Sequence, residues 1–300
     1  MTADWIAVDW GTTRLRAWAM QGPAAAQSRN SDKGMGGLAR DAFEPALLDL
    51  IHDWLPATGR MPVIACGMVG ARTGWTEADY RATPCTPLDP LRATRPAVHD
   101  ARLDVRILPG LSQAAPPDVM RGEETQIAGF LASDPGFDGT LCLPGTHCKW
   151  VRITHGRVEA FQTFMTGEIF SLISRQSVLR LSLGGAAPDA HAAAEGAADA
   201  MADPHAAQRD LFALRAGALL RDLKPELAAG RLSGLLIGAE LGAARDFWQG
   251  RRTVIIGAPD LAALYETPLR TAGAEAARMD GGELVLAGLT AARLALQEHP

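Results

Sequence analysis

The chain has 300 residues, of which 47% are hydrophobic and 21% are charged, and its formal net charge at pH 7 is −5. These values describe a globular protein that is long enough to form two domains, each with its own core. Because no basic block offsets the acidic balance, the composition argues against nucleic-acid binding as the main role.

No stretch approaches the length needed to cross a membrane, and the first residues lack the basic and apolar regions of a secretory signal. The four cysteines, Cys66, Cys85, Cys142 and Cys148, form no C-x-x-C pair. Their spacing therefore indicates neither a disulfide framework nor a zinc site. We expect a cytoplasmic protein with reduced thiols.

Two short apolar runs near the start of the chain, Trp5–Val8 and Leu15–Met20, flank an acidic residue, a glycine and two threonines. This pattern predicts a strand, a tight turn and a second, antiparallel strand. A plain hairpin with a polar turn is one interpretation, and a phosphate-binding hairpin is the other.

The polar residues of this turn have the chemistry that phosphate binding requires. Gly11 lets the backbone come close to a ligand, and the N–H and hydroxyl groups of Thr12 and Thr13 can hold phosphate oxygens. Asp9 stands at the end of a buried strand, where its carboxylate can hold a hydrated Mg²⁺.

The next part of the chain alternates loops with short regular elements. A glycine-rich polar loop, Ser28–Gly37, precedes a predicted amphipathic helix, Phe43–Leu55, and a buried strand, Met61–Met68. Frequent prolines from Thr83 to Pro117 indicate loops around one short strand, Val105–Leu108.

A loop then enters a helix within Asp118–Ala132, and two adjacent carboxylates, Glu123 and Glu124, stand at the start of that helix. Acidic side chains stabilise a helix N-terminus, so a structural role is the alternative to a catalytic one. The glycines and proline of Ser133–Gly139 predict a domain boundary, which gives domains of residues 1–135 and 136–300.

The second half opens with a strand–turn–strand pattern, Thr140–Ile153, that resembles the first hairpin. Gly145 and Thr146 occupy the places of the first glycine and threonine, whereas Pro144 replaces the aspartate. A repeated hairpin is stronger evidence than either copy alone.

Strands and helices alternate in the rest of the chain, which predicts an α/β fold. The Ala-rich segment Gly184–Ala207 fits either helical pieces or a mobile excursion. The other predicted elements are a strand at Val158–Phe164, helices at Ile169–Leu183, Asp210–Leu223 and Ser233–Phe247, a strand at Thr253–Ile256, a helix ending at Thr271, a strand at Ala276–Met279 and a helix at Gly282–Leu296.

Six motifs, taken together and in order, resemble the 2-dehydro-3-deoxygalactonokinase family of the superfamily that contains sugar kinases, hexokinases, actin and heat-shock ATPases. The resemblance extends from about residue 4 to about residue 295, with the Ala-rich segment near 185–207 as a local departure. The motifs are Asp9–Thr13, Gly67–Arg72, Arg121–Gln126, Pro144–Trp150, Thr166–Glu168 and Ser233–Glu240.

The resemblance implies a two-domain actin-like ATPase (ribonuclease H-like) fold, with a nucleotide cleft between the domains. It also implies an enzyme that uses ATP and Mg²⁺ to phosphorylate the terminal (6-) hydroxyl of 2-dehydro-3-deoxy-D-galactonate in galactonate catabolism. Asp9 would hold Mg²⁺ through water, and the adenosine would lie against the turn after the strand at Thr253–Ile256. The residues expected to bind ATP are Gly11, Thr12, Thr13, Gly145, Thr146, Lys149, Gly257, Ala258 and Pro259.

Phosphoryl transfer is helped by a base that accepts the proton of the attacking hydroxyl. We favour Glu124, because Glu-Thr-Gln resembles the Asp-Gln-Gln of related sugar kinases, with Glu123 as the alternative.

The substrate is an anion, and its carboxylate suits a cation that binds it in a bidentate manner. Arg72, which follows a glycine turn at Gly70, is the first candidate, although a lone arginine is usually a solvated surface residue. Arg121 and Lys33 are weaker candidates. The remaining candidates for substrate contacts are Thr166, Glu168 and His147, for which a helix cap or a turn residue is the structural alternative.

Two other functions stay open from the sequence. One is a kinase of a different sugar, sugar acid or polyol on the same fold. The other is a non-catalytic actin-like protein whose interactions depend on a nucleotide, although such proteins carry an aspartate where this chain has Pro144. The expected partners are a sugar acid and ATP, with neither nucleic acid nor membrane, and homo-oligomerisation is left open.

Overall fold

The structure, a computed structural model, describes residues 3–203 and 205–298. These residues form thirteen strands and ten α-helices, joined by loops and short 3₁₀ turns. The strands are β1 (Trp5–Trp10), β2 (Leu15–Gln21), β3 (Ala24–Ser31), β4 (Met61–Gly67), β5 (Tyr80–Ala82), β6 (Leu103–Ile107), β7 (Gly110–Gln113), β8 (Asp118–Met120), β9 (Gly139–Leu143), β10 (Cys148–Thr154), β11 (Arg157–Phe164), β12 (Thr253–Gly257) and β13 (Ala276–Asp280). The helices are α1 (Phe43–Ile51), α2 (Glu123–Ser133), α3 (Thr166–Gln176), α4 (Arg180–Leu183), α5 (Ala190–Ala202), α6 (Ala206–Leu220), α7 (Pro225–Ala243), α8 (Arg245–Trp248), α9 (Pro259–Thr271) and α10 (Gly281–Glu298).

The first sheet has the strand order β3-β2-β1-β4-β6. Its first three strands are antiparallel, whereas β4 lies parallel to β1 and β6 lies parallel to β4. The central strand β1 is buried along most of its length, which explains its nearly continuous apolar sequence. Below the turn that follows β1, the rings of Trp10, Phe43 and Trp75 pack against one another with centroids 5.1–6.4 Å apart.

The second large sheet repeats this topology in the order β11-β10-β9-β12-β13. Again the hairpin strands are antiparallel, and β12 and β13 continue the sheet in parallel to β9. Counted from its own first strand, each sheet has the order 3-2-1-4-5. This duplication is the ribonuclease H-like arrangement of the actin-like ATPase fold, so the predicted α/β fold class is confirmed.

Two compact units contain these sheets. The first unit extends to Phe137 and also contains Thr154–Ala160 and the chain from Gly282 onward, so most of α10 belongs to it. The second unit comprises Asp138–Ile153 and Phe161–Gly281. A small third sheet, β5-β7-β8, belongs to the first unit. Within the described ranges, no helix combines the length and the apolar character needed to cross a bilayer.

The structure corrects the prediction that a polar loop begins at Ser28. Residues 24–31 form β3, an edge strand that pairs with β2 and has a mostly exposed or half-exposed surface. An edge strand with a polar sequence lacks the alternating apolar pattern that predicts strands. The loop therefore starts only after Ser31.

The predicted helix Ile169–Leu183 is wrong as a single element, because the chain forms α3 and α4 instead. Ser177 adopts an extended backbone between them, and its hydroxyl accepts a hydrogen bond from Leu179 N–H at 3.0 Å. A serine that bonds to nearby backbone groups competes with helix continuation.

The Ala-rich segment had two open interpretations, and helical pieces are the correct one, because Ala190–Ala202 form α5, which packs against α7. A Cβ atom at Gly234 would lie 2.0 Å from the carbonyl oxygen of Ala193, and one at Gly238 would lie 2.3 Å from that of Ala197. Small residues on both helices permit this close approach. The same packing explains why α7 begins at Pro225, earlier than the predicted Ser233.

Candidate active site

The first hairpin exposes the groups that were predicted to bind phosphate. Gly11 N–H donates to the carbonyl of Arg14 at 2.9 Å, which closes the turn, and the side chains of Thr12 and Thr13 are exposed. Their hydroxyls and backbone groups can therefore contact a ligand.

The glycine-rich loop after β3 supports this turn. Met35 N–H donates to the carbonyl of Gly11 at 3.0 Å, and Gly36 N–H donates to that of Thr12 at 2.9 Å. A Cβ atom at Gly34 would lie 2.2 Å from the carbonyl carbon of Thr13, so a larger residue could not pack here. The loop thus fixes the turn through its backbone.

Lys33 belongs to the same loop, and its ammonium lies 2.6 Å from the carboxylate of Asp49. Both side chains are exposed, so this ion pair is screened by water.

The Asp9 carboxylate lies beside the first turn and is 19% exposed. Its Oδ2 accepts hydrogen bonds from Arg16, one of them from Nε at 3.0 Å. Its Oδ1 lies 3.9 Å from the thiol sulfur of Cys66. A partly exposed carboxylate with one oxygen turned away from its arginine is the hard donor that Mg²⁺ prefers, directly or through water.

Three glycines, Gly67, Gly70 and Gly122, allow the turn after β4 and the start of α2 to pack closely against each other and against Asp9. A Cβ atom at Gly67 would lie 2.8 Å from the carbonyl oxygen of Trp10, and Gly67 has φ +90°. A Cβ atom at Gly122, which has φ +109°, would lie 3.3 Å from the Cα of Gly67. One at Gly70 would lie 2.9 Å from Nη1 of Arg121. The turn after β4 is therefore packed between Asp9 and the start of α2.

The two adjacent carboxylates at the start of α2 have different environments. Glu124 is fully buried, and its carboxylate accepts hydrogen bonds from Gly122 N–H at 2.6 Å and from the Thr125 hydroxyl at 3.0 Å. Burial, and then the nearby charge of Glu123, raises the pKa of Glu124 to about 8. Glu123 is only half-buried, and its carboxylate accepts from Arg121 N–H at 3.0 Å.

The raised pKa of Glu124 predicts a specific dependence of stability on pH. The unfolded chain releases this proton near its ordinary pKa of 4.5, whereas the folded chain keeps it to about pH 8. The stabilisation is therefore complete below the unfolded pKa and is lost as the pH rises through about 8. The glutamine of Glu124→Gln resembles the protonated acid. The melting temperature of this variant, relative to that of wild type at the same pH, should therefore increase from pH 5 to pH 9.

The matched control for this measurement is Asp49→Asn, which removes an exposed carboxylate of the same unit. Thermal unfolding of the three proteins across the pH range gives the comparison. Parallel curves for wild type and Glu124→Gln would contradict the assignment of a buried protonated acid.

The two arginines considered for the substrate carboxylate lie in different environments. The Arg72 side chain is 87% exposed, and its nearest acidic partner is Glu77 at 3.7 Å. Arg121 is only 7% exposed, and its guanidinium lies over the ring of Tyr80 with Cζ 4.2 Å from the centroid.

In the second unit, the turn between β9 and β10 packs against the start of α3. Glu168 N–H donates to the carbonyl of Thr146 at 2.9 Å. A Cβ atom at Gly167 would lie 2.2 Å from the carbonyl oxygen of Gly145. His147 Nε2 lies 2.5 Å from Oε2 of Glu168, and both side chains are partly exposed.

Lys149 was predicted to contact phosphate, with an exposed strand edge as the alternative. Its side chain is buried instead, and Nζ donates to the Thr163 hydroxyl on β11 at 2.7 Å. The ammonium is thus held beside the second hairpin by the neighbouring strand.

A buried polar network lies behind this hairpin and was not predicted. The Glu240 carboxylate accepts from Trp150 Nε1 at 2.8 Å and from the Tyr265 hydroxyl at 2.9 Å, and burial raises its pKa. The thiols of Cys142 and Cys148 lie 3.8 Å apart next to it. The sequence signal for this network was Glu240, an acidic residue within the apolar sequence of α7.

An apolar cavity of about 130 Å³ adjoins the second hairpin. Its wall includes Gly145 and Thr166 on one side and Leu236, Leu264 and Tyr265 of the helices on the other. The predicted adenosine turn, Gly257 to Pro259, leads directly into α9, which supplies two of these residues, and it also borders a separate cavity of about 430 Å³.

The duplicated sheets, each with a glycine–threonine turn between its first two strands, define the actin-like ATPase fold. Residues 9–292 match the family model described as 2-keto-3-deoxy-galactonokinase, and the chain belongs to this family.

The similarity to individual relatives extends over almost the whole chain. One relative, from Rhizobium meliloti (strain 1021) and named as a 2-dehydro-3-deoxygalactonokinase, is 40% identical and is covered over 97% of both chains. The 2-dehydro-3-deoxygalactonokinase of Escherichia coli (strain K12) is 34% identical, with 96% of this chain and 97% of that protein covered. A crystal structure of a Sinorhizobium meliloti protein described by the same activity superimposes with a TM-score of 0.89, at 38% identity, over 97% of this chain and 99% of that one.

These comparisons confirm the family that the motifs indicated. The chain is a kinase, a phosphotransferase with an alcohol group as acceptor, and ATP is its phosphoryl donor. The alternative of a non-catalytic interaction protein is therefore wrong.

Proposed function

We propose that this kinase transfers the γ-phosphoryl group of ATP to the 6-hydroxyl of 2-dehydro-3-deoxy-D-galactonate, in the cytoplasm and as a step of galactonate catabolism. Family membership and the full-length similarity to relatives named for this activity support the proposal. The observation that carries it is the packing of Asp9, Arg121 and the residue before α2, Gly122, around the Gly67–Gly70 turn, with Glu123 as the first residue of α2. A carboxylate for the metal, a carboxylate for a proton and a cation for an anionic substrate are the groups that this reaction needs.

We propose that Asp9 holds Mg²⁺ through water, with Arg16 fixing the orientation of the carboxylate. When bound, the metal neutralises charge on the phosphate oxygens. The backbone of Gly11 and the hydroxyls of Thr12 and Thr13 orient the phosphates. This arrangement would position the nucleotide for in-line transfer.

The second hairpin is proposed to bind the rest of the nucleotide. Gly145 and Thr146 would contact phosphate, with the charge of Lys149 close behind them. The apolar cavity beside Gly145 suits the adenine ring, because purines are flat and largely apolar on their faces. The backbone from Gly257 to Pro259 leads into the helix that lines this cavity and would contact the adenosine. Thr166, His147 and Glu168 surround the same turn, so we propose that they shape the nucleotide site rather than the sugar site.

For the base, exposure favours Glu123 over Glu124. A base must come within hydrogen-bond distance of the substrate hydroxyl, and the half-buried Glu123 can do so without the rearrangement that the fully buried Glu124 would need. We propose that Glu123 accepts the proton of the 6-hydroxyl. Glu124 instead holds the first turn of α2 through its bonds to Gly122 and Thr125.

The substrate is tested with the purified enzyme, ATP and Mg²⁺ in an ADP-release assay. We expect the highest kcat/KM for 2-dehydro-3-deoxy-D-galactonate, a lower value for the gluconate epimer, and negligible turnover of neutral hexoses and polyols. A single inverted hydroxyl leaves polar groups of the site unpaired, which lowers the rate of the epimer. Preference for a neutral sugar would contradict the proposal.

A further inference from the structure

We propose that Arg121 binds the carboxylate of the sugar acid, in a subsite that it forms with Gly70 and Tyr80. This inference rests on the proposed function, because it assigns the part of the site that distinguishes a sugar acid from a neutral sugar. It also replaces Arg72, the first candidate from the sequence.

The Arg121 guanidinium is buried, and two of its three nitrogens lack hydrogen-bond partners among the described residues. Nη2 donates to the carbonyl oxygen of Ala78 at 2.7 Å. Nε and Nη1 have no partner among the residues that the structure describes. None of the three nitrogens therefore donates to a carboxylate within the described part of the chain.

A buried cation without a paired anion is energetically costly, because it loses its hydration and gains little in return. A guanidinium carries five N–H donors in one plane, and Arg121 leaves those of Nε and Nη1 unused. A carboxylate can accept two such hydrogen bonds at once and also neutralises the charge. A substrate carboxylate would supply the hydrogen-bond acceptors and the negative charge that Arg121 lacks among the described residues.

The surroundings hold this guanidinium in place. The ring of Tyr80 covers one face at 4.2 Å. A Cβ atom at Gly70 would lie 2.9 Å from Nη1, so a larger residue at this position would press on the unpartnered nitrogen. Arg121 also precedes the first turn of α2, which places its subsite next to the carboxylate proposed as the base.

Arg72 lacks these properties. Its side chain is almost fully exposed, and it is paired weakly with Glu77. A solvated arginine contributes little binding energy, since water competes for its donors and salt screens its charge. Arg72 therefore serves as the matched control in the same unit.

The test compares the sugar acid with its neutral methyl ester as acceptors, using wild type, Arg121→Gln, Arg121→Lys and Arg72→Gln. The wild type should prefer the acid, and Arg121→Gln should raise the KM for the acid by about 30- to 150-fold, with the KM for ATP nearly unchanged. The preference for acid over ester should fall to within about threefold in Arg121→Gln. Arg121→Lys should recover only part of it, because lysine keeps the charge but loses the planar donors. Arg72→Gln should behave as wild type.

The ester separates charge recognition from a structural role, because a damaged fold would weaken both acceptors equally. If Arg121→Gln does not fold, as judged by its melting curve, Arg121→Lys carries the comparison. An unchanged preference for the acid in the folded variants, or an equal loss with both acceptors, would overturn the assignment and leave the kinase activity intact. A wild-type enzyme that is inactive on every sugar acid would instead contradict the proposed function, and the carboxylate assignment with it.

Discussion

Asp9→Asn is expected to lower kcat by several orders of magnitude at saturating ATP and Mg²⁺, while the melting temperature stays close to that of wild type. The amide keeps the shape of the side chain but removes the charge that would hold the metal. The ion pair with Arg16 is partly exposed, with side-chain exposures of 37% for Arg16 and 19% for Asp9, so its loss should cost little stability.

Asp49→Asn is the control for this variant, because it also removes an ion-paired carboxylate from the first unit but lies on the surface. Its kcat should match wild type. Near-normal turnover of Asp9→Asn at saturating Mg²⁺ would remove Asp9 from the mechanism.

The second large effect is expected for Glu123→Gln, which should lower kcat by about 10²- to 10⁴-fold. Both KM values should change little, since the amide has almost the same size as the carboxylate. Glu124→Gln should retain turnover, because Glu124 is buried and its pKa is raised to about 8, which favours the neutral form that glutamine resembles. Steady-state kinetics of the two variants, with each KM measured at saturating co-substrate, provide the comparison.

The opposite result would be loss of turnover in Glu124→Gln with activity kept in Glu123→Gln. It would support the assignment based on the Glu-Thr-Gln motif and would mean that α2 rearranges when substrate binds. If both variants stay active, neither carboxylate is the base.

Local patterns were sufficient to predict the elements that carry strong periodic or turn signals. The Asp9–Thr13 hairpin and its repeat at Gly145 and Thr146 follow from apolar runs around a glycine turn, and these two hairpins indicated the duplication that the two sheets show. The polar edge strand β3 and the close pairing of α5 with α7 were missed. Both depend on partners far away in the sequence, which periodicity does not reveal.

The site illustrates the same limit at single residues. Glu123 and Glu124 are adjacent on a helix, so their side chains point in directions about 100° apart, and only packing decides which is buried. Arg72 and Arg121 both follow or precede a glycine turn, yet only Arg121 is covered by Tyr80. The sequence identified these residues as candidates, and the tertiary contacts distinguish them.

Phosphoryl transfer to the sugar acid is tested most directly by ³¹P NMR of the products that the purified enzyme forms from ATP, Mg²⁺ and 2-dehydro-3-deoxy-D-galactonate. We predict equal amounts of ADP and one new phosphomonoester whose phosphorus couples to the two protons on C6. The appearance of ADP with inorganic phosphate alone, or of a phosphomonoester at another carbon, would contradict the proposed reaction.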